Sequence, residues 1–255
     1  MQRQPVPILE FDPTARAVIE PAEHIPKLDV PEHCVPCFFM EVIEDLVTQR
    51  LARQVACMHS ELGDHPLYET SVEGRRLALY HPGLTAPFAA GLLEEVIASG
   101  CRKFVACGGA GVLDRKIAVG HIVVPTAAVR DEGTSYHYLP PGREVAASPE
   151  AVAAIEKVLA ARGVPYVTAK TWTTDAFYRE THEKVALRRS EGCLTVEMEA
   201  AAFFAVAQFR GVTFGQVLYG GDDVSGCDWD GRRWQGRRDV RETLFQLAAE
   251  ACLLL

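Results

Sequence analysis

The chain has 255 residues, 48% of them apolar and 24% charged, with a formal charge of −8. This composition supports a large core and marks no segment as disordered. The acidic balance argues against a nucleic-acid groove, which needs a net basic stripe. No apolar run reaches the ~18 residues that span a membrane. The opening MQRQPVPILEFDP lacks the sustained apolar stretch of a signal peptide, so the expected compartment is the cytoplasm.

Taken in chain order, Val6–Phe11 reads as a short first strand that stops at Asp12-Pro13. From Cys37 to Arg53, apolar residues recur at helical spacing. Val55–Met58 reads as a brief strand. Leu67–Val72 and Arg76–Tyr80 flank Glu73-Gly74, a hairpin signal. Pro87 opens a helix that ends at Gly100. Lys103–Cys107 is a buried strand followed by a glycine run, and His121–Val129 is another strand. Ser148-Pro149-Glu150 starts a helix that Gly163 ends. Strands follow at Tyr166–Thr171 and Leu194–Met198, then a helix at Glu199–Arg210. Val212–Tyr219 is a strand, and an amphipathic helix closes the chain from Arg237. Strands alternating with helices predict an α/β three-layer sandwich. Its central sheet is mixed, mostly parallel, with helices on both faces. No linker or repeat divides residues 1–255, so a single domain is expected.

The cysteines at 34, 37, 57, 101, 107, 193, 227 and 252 mostly sit in apolar stretches. They read as small hydrophobes in a reducing compartment. Cys34 and Cys37 have the spacing of a zinc or redox half-site, but no second pair completes four ligands. No metal is expected. The cluster Arg232, Arg233, Arg237 and Arg238 is either a solvated loop or a face toward an anion.

In open α/β sheets, ligands gather at the carboxyl ends of strands. Four such ends carry chemistry here. In Gly108-Gly109-Ala110-Gly111, missing side chains let the backbone approach an anion or a sugar, unless they only serve packing. Thr173 and Thr174, with Asp175, Phe177 and Tyr178, could hold a flat ring or form a turn. Glu197 is a carboxylate inside an apolar strand, which is costly unless it is bonded. Glu199 sits where a helix start favours negative charge. Asp222 and Asp223 follow Gly220-Gly221 at a strand end, as proton-transfer groups or as an Asx turn.

Together these ends resemble the nucleoside phosphorylase family, with its purine and uridine phosphorylases and its methylthioadenosine/adenosylhomocysteine nucleosidase relatives. Glu197-Met198-Glu199 before a small-residue helix looks like that family's ribose signature. The likeness runs from about Leu77 to Asp223 and includes Pro87–Gly111, Val119-Gly120-His121 and Asp131-Glu132-Gly133. It implies a phosphorylase-like fold and a pentosyltransferase that cleaves a ribonucleoside with inorganic phosphate as co-substrate and no cofactor. Met198 and Glu199 would hold the ribose, with Glu197 supporting them. Phe177 would pack on the base. Asp222 would be the acid for the leaving base. Gly108, Gly109 and Ala110 would line the phosphate and ribose end. It also implies a homo-oligomer (dimer, trimer or hexamer), for which Phe38–Val47 offers an apolar face.

The chain departs from the family at the phosphate. Ala106 stands where an arginine is expected, and Gly109 replaces a threonine or serine. Phe11-Asp12-Pro13-Thr14-Ala15-Arg16 only echoes the Gly-Asp-Pro loop. Arg16, Arg76 and Arg130 are the candidate replacements. Hydrolysis by water and nucleoside binding without turnover therefore stand beside phosphorolysis. Asp222 leans the base toward a purine.

Overall fold

A computed structural model describes residues 3–255. Ten strands form one mixed sheet: β1 His33–Pro36, β2 Ala52–Ser60, β3 Gly63–Val72, β4 Arg75–Tyr80, β5 Lys103–Val112, β6 Ile122–Asp131, β7 Glu144–Ala146, β8 Tyr166–Thr174, β9 Cys193–Glu197 and β10 Thr213–Asp223. The α-helices are α1 Pro21–His24, α2 Met40–Thr48, α3 Ala86–Ser99, α4 Pro149–Ala161, α5 His182–Ser190, α6 Ala200–Arg210 and α7 Arg238–Leu253. α3 and α6 bury Leu93, Phe203 and Phe204 against one face. α2, α4 and α7 cover the other with Ile43, Ile155, Leu244 and Phe245. The expected three-layer α/β architecture is present.

Local signals translate directly into elements. Glu73 and Gly74 both take positive φ (51° and 77°), the twist a two-residue hairpin needs between β3 and β4. Pro87 lies in the first turn of α3, and Gly100 ends that helix at φ 140°. Two local readings change. Val6–Phe11 is not a strand: Pro7–Leu9 forms a 3-10 turn, because Pro5 and Pro7 remove two N–H donors that a ladder would need. The helix read across Cys37–Arg53 is confined to α2. Cys37 bridges to Cys107 before it, and Ala52 already belongs to β2 after it.

The glycine run is strand rather than loop. β5 continues through Gly108–Gly111 because β10 pairs with it in parallel from Lys103 to Ala110. Its start also pairs with β1 at His33 and Cys34, and its end pairs antiparallel with β9 at Gly111 and Val112. β10 then pairs with β6, β6 with β8, and β8 with β9. Five strands thus close a ring, and β1, β4, β3 and β2 extend from it as an arm. Ring closure depends on close approach at Gly111, where an added Cβ would lie 2.9 Å from Cγ1 of Val196.

The apolar face of Phe38–Val47, read as a possible subunit contact, is largely used within the chain. Phe39, Val42 and Ile43 are buried, and Phe39 packs on Tyr219 at 6.0 Å between centroids. Cys34 and Cys37 are both buried but fall in the cores on opposite faces of the sheet, so they share no ligand site. Among the described residues, no helix is long and apolar enough to cross a membrane.

Gly111→Ala should overpack the β5–β9 junction and lower stability by about 1–3 kcal/mol. The measurement is the urea midpoint. An unchanged midpoint would mean that the two strands separate without cost.

Candidate active site

β8 and β9 run parallel, with Thr173 beside Glu197 at their carboxyl ends. The Thr173 hydroxyl donates to Glu197 Oε1 at 2.6 Å, and the Thr171 hydroxyl approaches the same oxygen at 3.4 Å. Glu197 Oε2 accepts the backbone N–H groups of Glu199 (2.7 Å) and Ala200 (2.6 Å). The carboxylate therefore caps α6, where the helix dipole also favours its charge. Thr173 Oγ1 in turn accepts from Ala201 N at 2.9 Å. This bonding explains how an acid survives in an apolar strand.

Glu199 precedes α6 in a non-helical conformation (φ −135°, ψ −30°) and is 5% exposed. Its Oε1 accepts the N–H of Thr85 at 2.7 Å, while Oε2 has only the Met198 N–H at 3.3 Å. One oxygen is thus pinned and the other keeps acceptor capacity. Burial, then the charge of Glu197, pushes the Glu199 carboxyl above the usual range. Burial pushes Glu197 the same way, opposed by its four donors. Since two of those donors are backbone amides that cannot turn, the proton the pair takes up belongs on Glu199. Thr85 holds φ 75°, uncommon for a β-branched residue, on the loop between β4 and α3. His81 steadies that loop by accepting the Gly83 N–H at 3.1 Å. Burial lowers its basicity, so its ring is neutral.

The two acids of β10 differ sharply. Asp223 is 1% exposed and accepts from Arg115, Arg232 and both donors of Ser225. Burial opposes its charge, but these partners outweigh it and lower its pKa. Asp222 lies beside Gly111, where an added Cβ would be 3.5 Å from Oδ1, and accepts the Trp229 indole N–H at 2.7 Å. Glu180, which the sequence did not single out, also senses Asp222. Burial first, and the Asp222 charge second, push its carboxyl up to about 7.

The expected site residues therefore sort into several environments. Glu197, Met198 and Glu199 converge with Thr173 at the β8–β9–α6 junction. Thr173 and Thr174 are buried and bonded within the chain, Thr174 to Ala176 N at 3.2 Å. Phe177 is half-exposed and packs on Tyr178 at 4.1 Å between centroids. Gly108 and Ala110 are buried in β5. Over Gly109 lies the ring of Trp234, 2.7 Å from where a Cβ would stand. Ala106 is sealed in the core.

The three candidate arginines have protein partners. Arg16 pairs with Glu23 on the surface. Arg76 grips Glu69 and Asp29 near the start of β4, some four residues (roughly 13 Å) short of its carboxyl end. Arg130 lies in register with Thr173 on the neighbouring strand. Its guanidinium, however, is spent on Ser135 and the carbonyls of Leu139 and Pro140.

Comparison with known proteins identifies the family. A guanosine phosphorylase of Halorubrum lacusprofundi is 34% identical over 167 residues, covering 63% of this chain and 68% of that protein. A uridine phosphorylase structure from Vibrio fischeri superposes with a TM-score of 0.74 at 22% identity, covering 89% of this chain and 92% of the other. An AMP nucleosidase structure from Bacteroides thetaiotaomicron gives 0.69 at 21% identity, covering 89% of each chain. The family model described as the phosphorylase superfamily matches residues 35–252, almost the whole of the sheet and its covering helices. This chain belongs to the phosphorylase superfamily.

Proposed function

We propose that the protein cleaves the N-glycosidic bond of a purine ribonucleoside, with inorganic phosphate as acceptor, releasing free base and ribose 1-phosphate. One observation carries this reading: Glu199 is a buried carboxylate with one oxygen pinned by Thr85 and the other open to a pair of vicinal hydroxyls. The scissile bond breaks with cationic charge building on the sugar. Once the ribose hydroxyls donate to Glu199 and its proton passes to solvent, the resulting carboxylate strengthens its hold as that charge grows, so it favours the transition state over the ground state. Phe177 offers a half-exposed ring for the base. Asp222, flanked by Glu180, is the group that protonates the departing base. The guanosine phosphorylase likeness supports a purine. No cofactor enters this scheme. We place the protein in the cytoplasm as a homo-oligomer. Eight free cysteines suit a reducing compartment, and Met40, Leu51 and Leu62 offer exposed apolar surface for contact between copies.

A specific observation favours a second reading, hydrolysis by water. All three nominated arginines are occupied by protein partners, and Ala106 lies in the core. Phosphorolysis then needs a cation that the fold leaves free. Arg233, next to Trp234, has no ion-pair partner among the described residues. Base release from a panel of nucleosides, with and without phosphate, separates the readings. Release only with phosphate supports phosphorolysis, release without it supports hydrolysis, and binding without turnover removes both.

Glu199→Gln keeps the shape but loses charged hydrogen bonds worth about 1.5–3 kcal/mol each. A loss of roughly 10-fold or more in kcat/KM is expected. Wild-type rates would take Glu199 out of the site. The same variant should gain stability at high pH. The raised carboxyl binds its proton more tightly folded than unfolded. Its contribution is therefore complete below the unfolded glutamate value, near 4.5, and is lost as pH rises through the raised folded value. Thermal melts should show Glu199→Gln drawing ahead of wild type by about 1–2 kcal/mol across that window. A gap that does not change with pH would contradict the raised pKa.

Asp222→Asn should slow natural nucleosides by about 10²–10⁴-fold. It should spare a nitrophenyl riboside, whose leaving group needs no proton. Equal slowing of both substrates would make Asp222 a structural or sugar-binding residue. Asp223→Asn, by contrast, should lower stability without altering the leaving-group dependence, because it breaks a buried ion-pair cluster.

A further inference from the structure

Far from the β8–β9–α6 junction in the sheet order, the β2–β3 hairpin forms the outer edge of the sheet. His59 is paired directly with Asp64 across the two strands, and Cys57 precedes His59 by two residues. Side chains alternate across a strand, and directly opposed residues share a face. Cys57, His59 and Asp64 therefore project from one face of the hairpin. Met58, paired with His65, points to the other face, where His65 meets the Phe88 ring at 5.0 Å between centroids. The thiol sulfur of Cys57, a ring nitrogen of His59 and a carboxylate oxygen of Asp64 all lie within 4.8 Å of one another. His59 Nδ1 and Asp64 Oδ1 are already 2.8 Å apart. The Cys57 sulfur makes only a weak 3.6 Å contact with the carbonyl of Met58.

We propose that this triad is a binding site for a zinc-class divalent transition ion, separate from the nucleoside site. Zinc takes sulfur at roughly 2.3 Å and nitrogen or oxygen at roughly 2.0–2.2 Å, in a tetrahedron whose ligands stand about 3.4–3.7 Å apart. The three donor atoms lie within 4.8 Å of one another on side chains that are exposed or half-buried. The donor set is one thiolate, one imidazole and one carboxylate. It suits a borderline-soft ion and is poor for magnesium or calcium, which need several oxygens. On binding, the Cys57 thiol releases its proton to solvent. The hydrogen bond from His59 Nδ1 to Asp64 breaks as its proton passes to solvent and Nε2 takes one up, so that the Nδ1 lone pair faces the ion. Thiolate and carboxylate together neutralise the ion's two charges, and water fills the fourth position. The ion would then tie the two strands together at the free edge of the sheet, where β2 has no further neighbour to hold it.

The test uses the full chain after treatment with a chelator. Zinc binding is titrated against a chromophoric chelator, and cobalt(II) is added separately as a spectroscopic probe. The expected result is one zinc per chain, a thiolate-to-cobalt charge-transfer band with tetrahedral d–d intensity, and no competition from magnesium or calcium. Cys57→Ser and His59→Gln should each weaken zinc binding by more than about 100-fold, since even outer-shell changes cost 10–100-fold. Both should also abolish the rise in Tm that zinc gives the wild type. His59→Gln keeps the test decisive if Cys57→Ser folds poorly. The proposal is overturned if no stoichiometric zinc binds, or if the cobalt band persists in Cys57→Ser, which would assign it to another thiol such as the exposed Cys227. Base release by these variants should match wild type, so failure here leaves the nucleoside reading untouched.

Discussion

The candidate site hangs on a single buried carboxylate. Glu197 receives hydroxyls from β8 and backbone amides from the first residues of α6, while its own backbone ends β9. β8, β9 and α6 are thereby locked at one point. A buried acid with several donors is stable where an unpartnered one is not, and removing any donor leaves a charge that nothing else can solvate. Glu199 inherits its position from this knot. It stands two residues on, where the chain turns from β9 into α6, and its first oxygen is taken by Thr85 from the loop before α3. Geometry and proton affinity at Glu199 are thus linked, because the charge that anchors the turn adds to burial in raising the neighbouring pKa.

The second constraint is the divided loyalty of β5. Its first residues pair with β1, its length with β10 and its last residues with β9. A strand can change partners in this way only where backbones come close, and the run of small residues at 108–111 supplies that. The same run was attractive from sequence as an anion cradle. Its packing role is now plain, since Trp234, Tyr219 and Val196 occupy the space that side chains would need.

Much of this was legible in the sequence because the signals were local. Glu73-Gly74, Pro87 with Gly100, and Ser148-Pro149 with Gly163 each mark a boundary through backbone chemistry alone. The Glu197-Met198-Glu199 turn was legible as well, since an acid in an apolar strand demands partners. What escaped was set by distant contacts. β1 is four residues long and contains a proline, and only its pairing with β4 and β5 makes it a strand. α5 is dominated by polar residues, so periodicity gave no warning of it. Thr173 looked like a ligand contact but is spent on Glu197 and α6. Glu180 has nothing unusual around it in sequence, and its raised pKa arises from burial beside Asp222. Arg130 stands where an anion would want it, yet the loop at 135–140 claims it first.

The closed ring of β5, β10, β6, β8 and β9 has a consequence for how the chain reaches its native state. β5 meets β9 and β10 only after roughly a hundred intervening residues, and such non-local pairing is slow to form. During synthesis, α3 and the hairpin arm can assemble early. β5, however, must wait with the edge that β10 covers open until β10 has left the ribosome. That interval exposes an apolar, glycine-rich strand to other chains. β10 therefore acts as a latch on folding, and a chain that stalls just before it would be prone to aggregate even though most of its helices had formed.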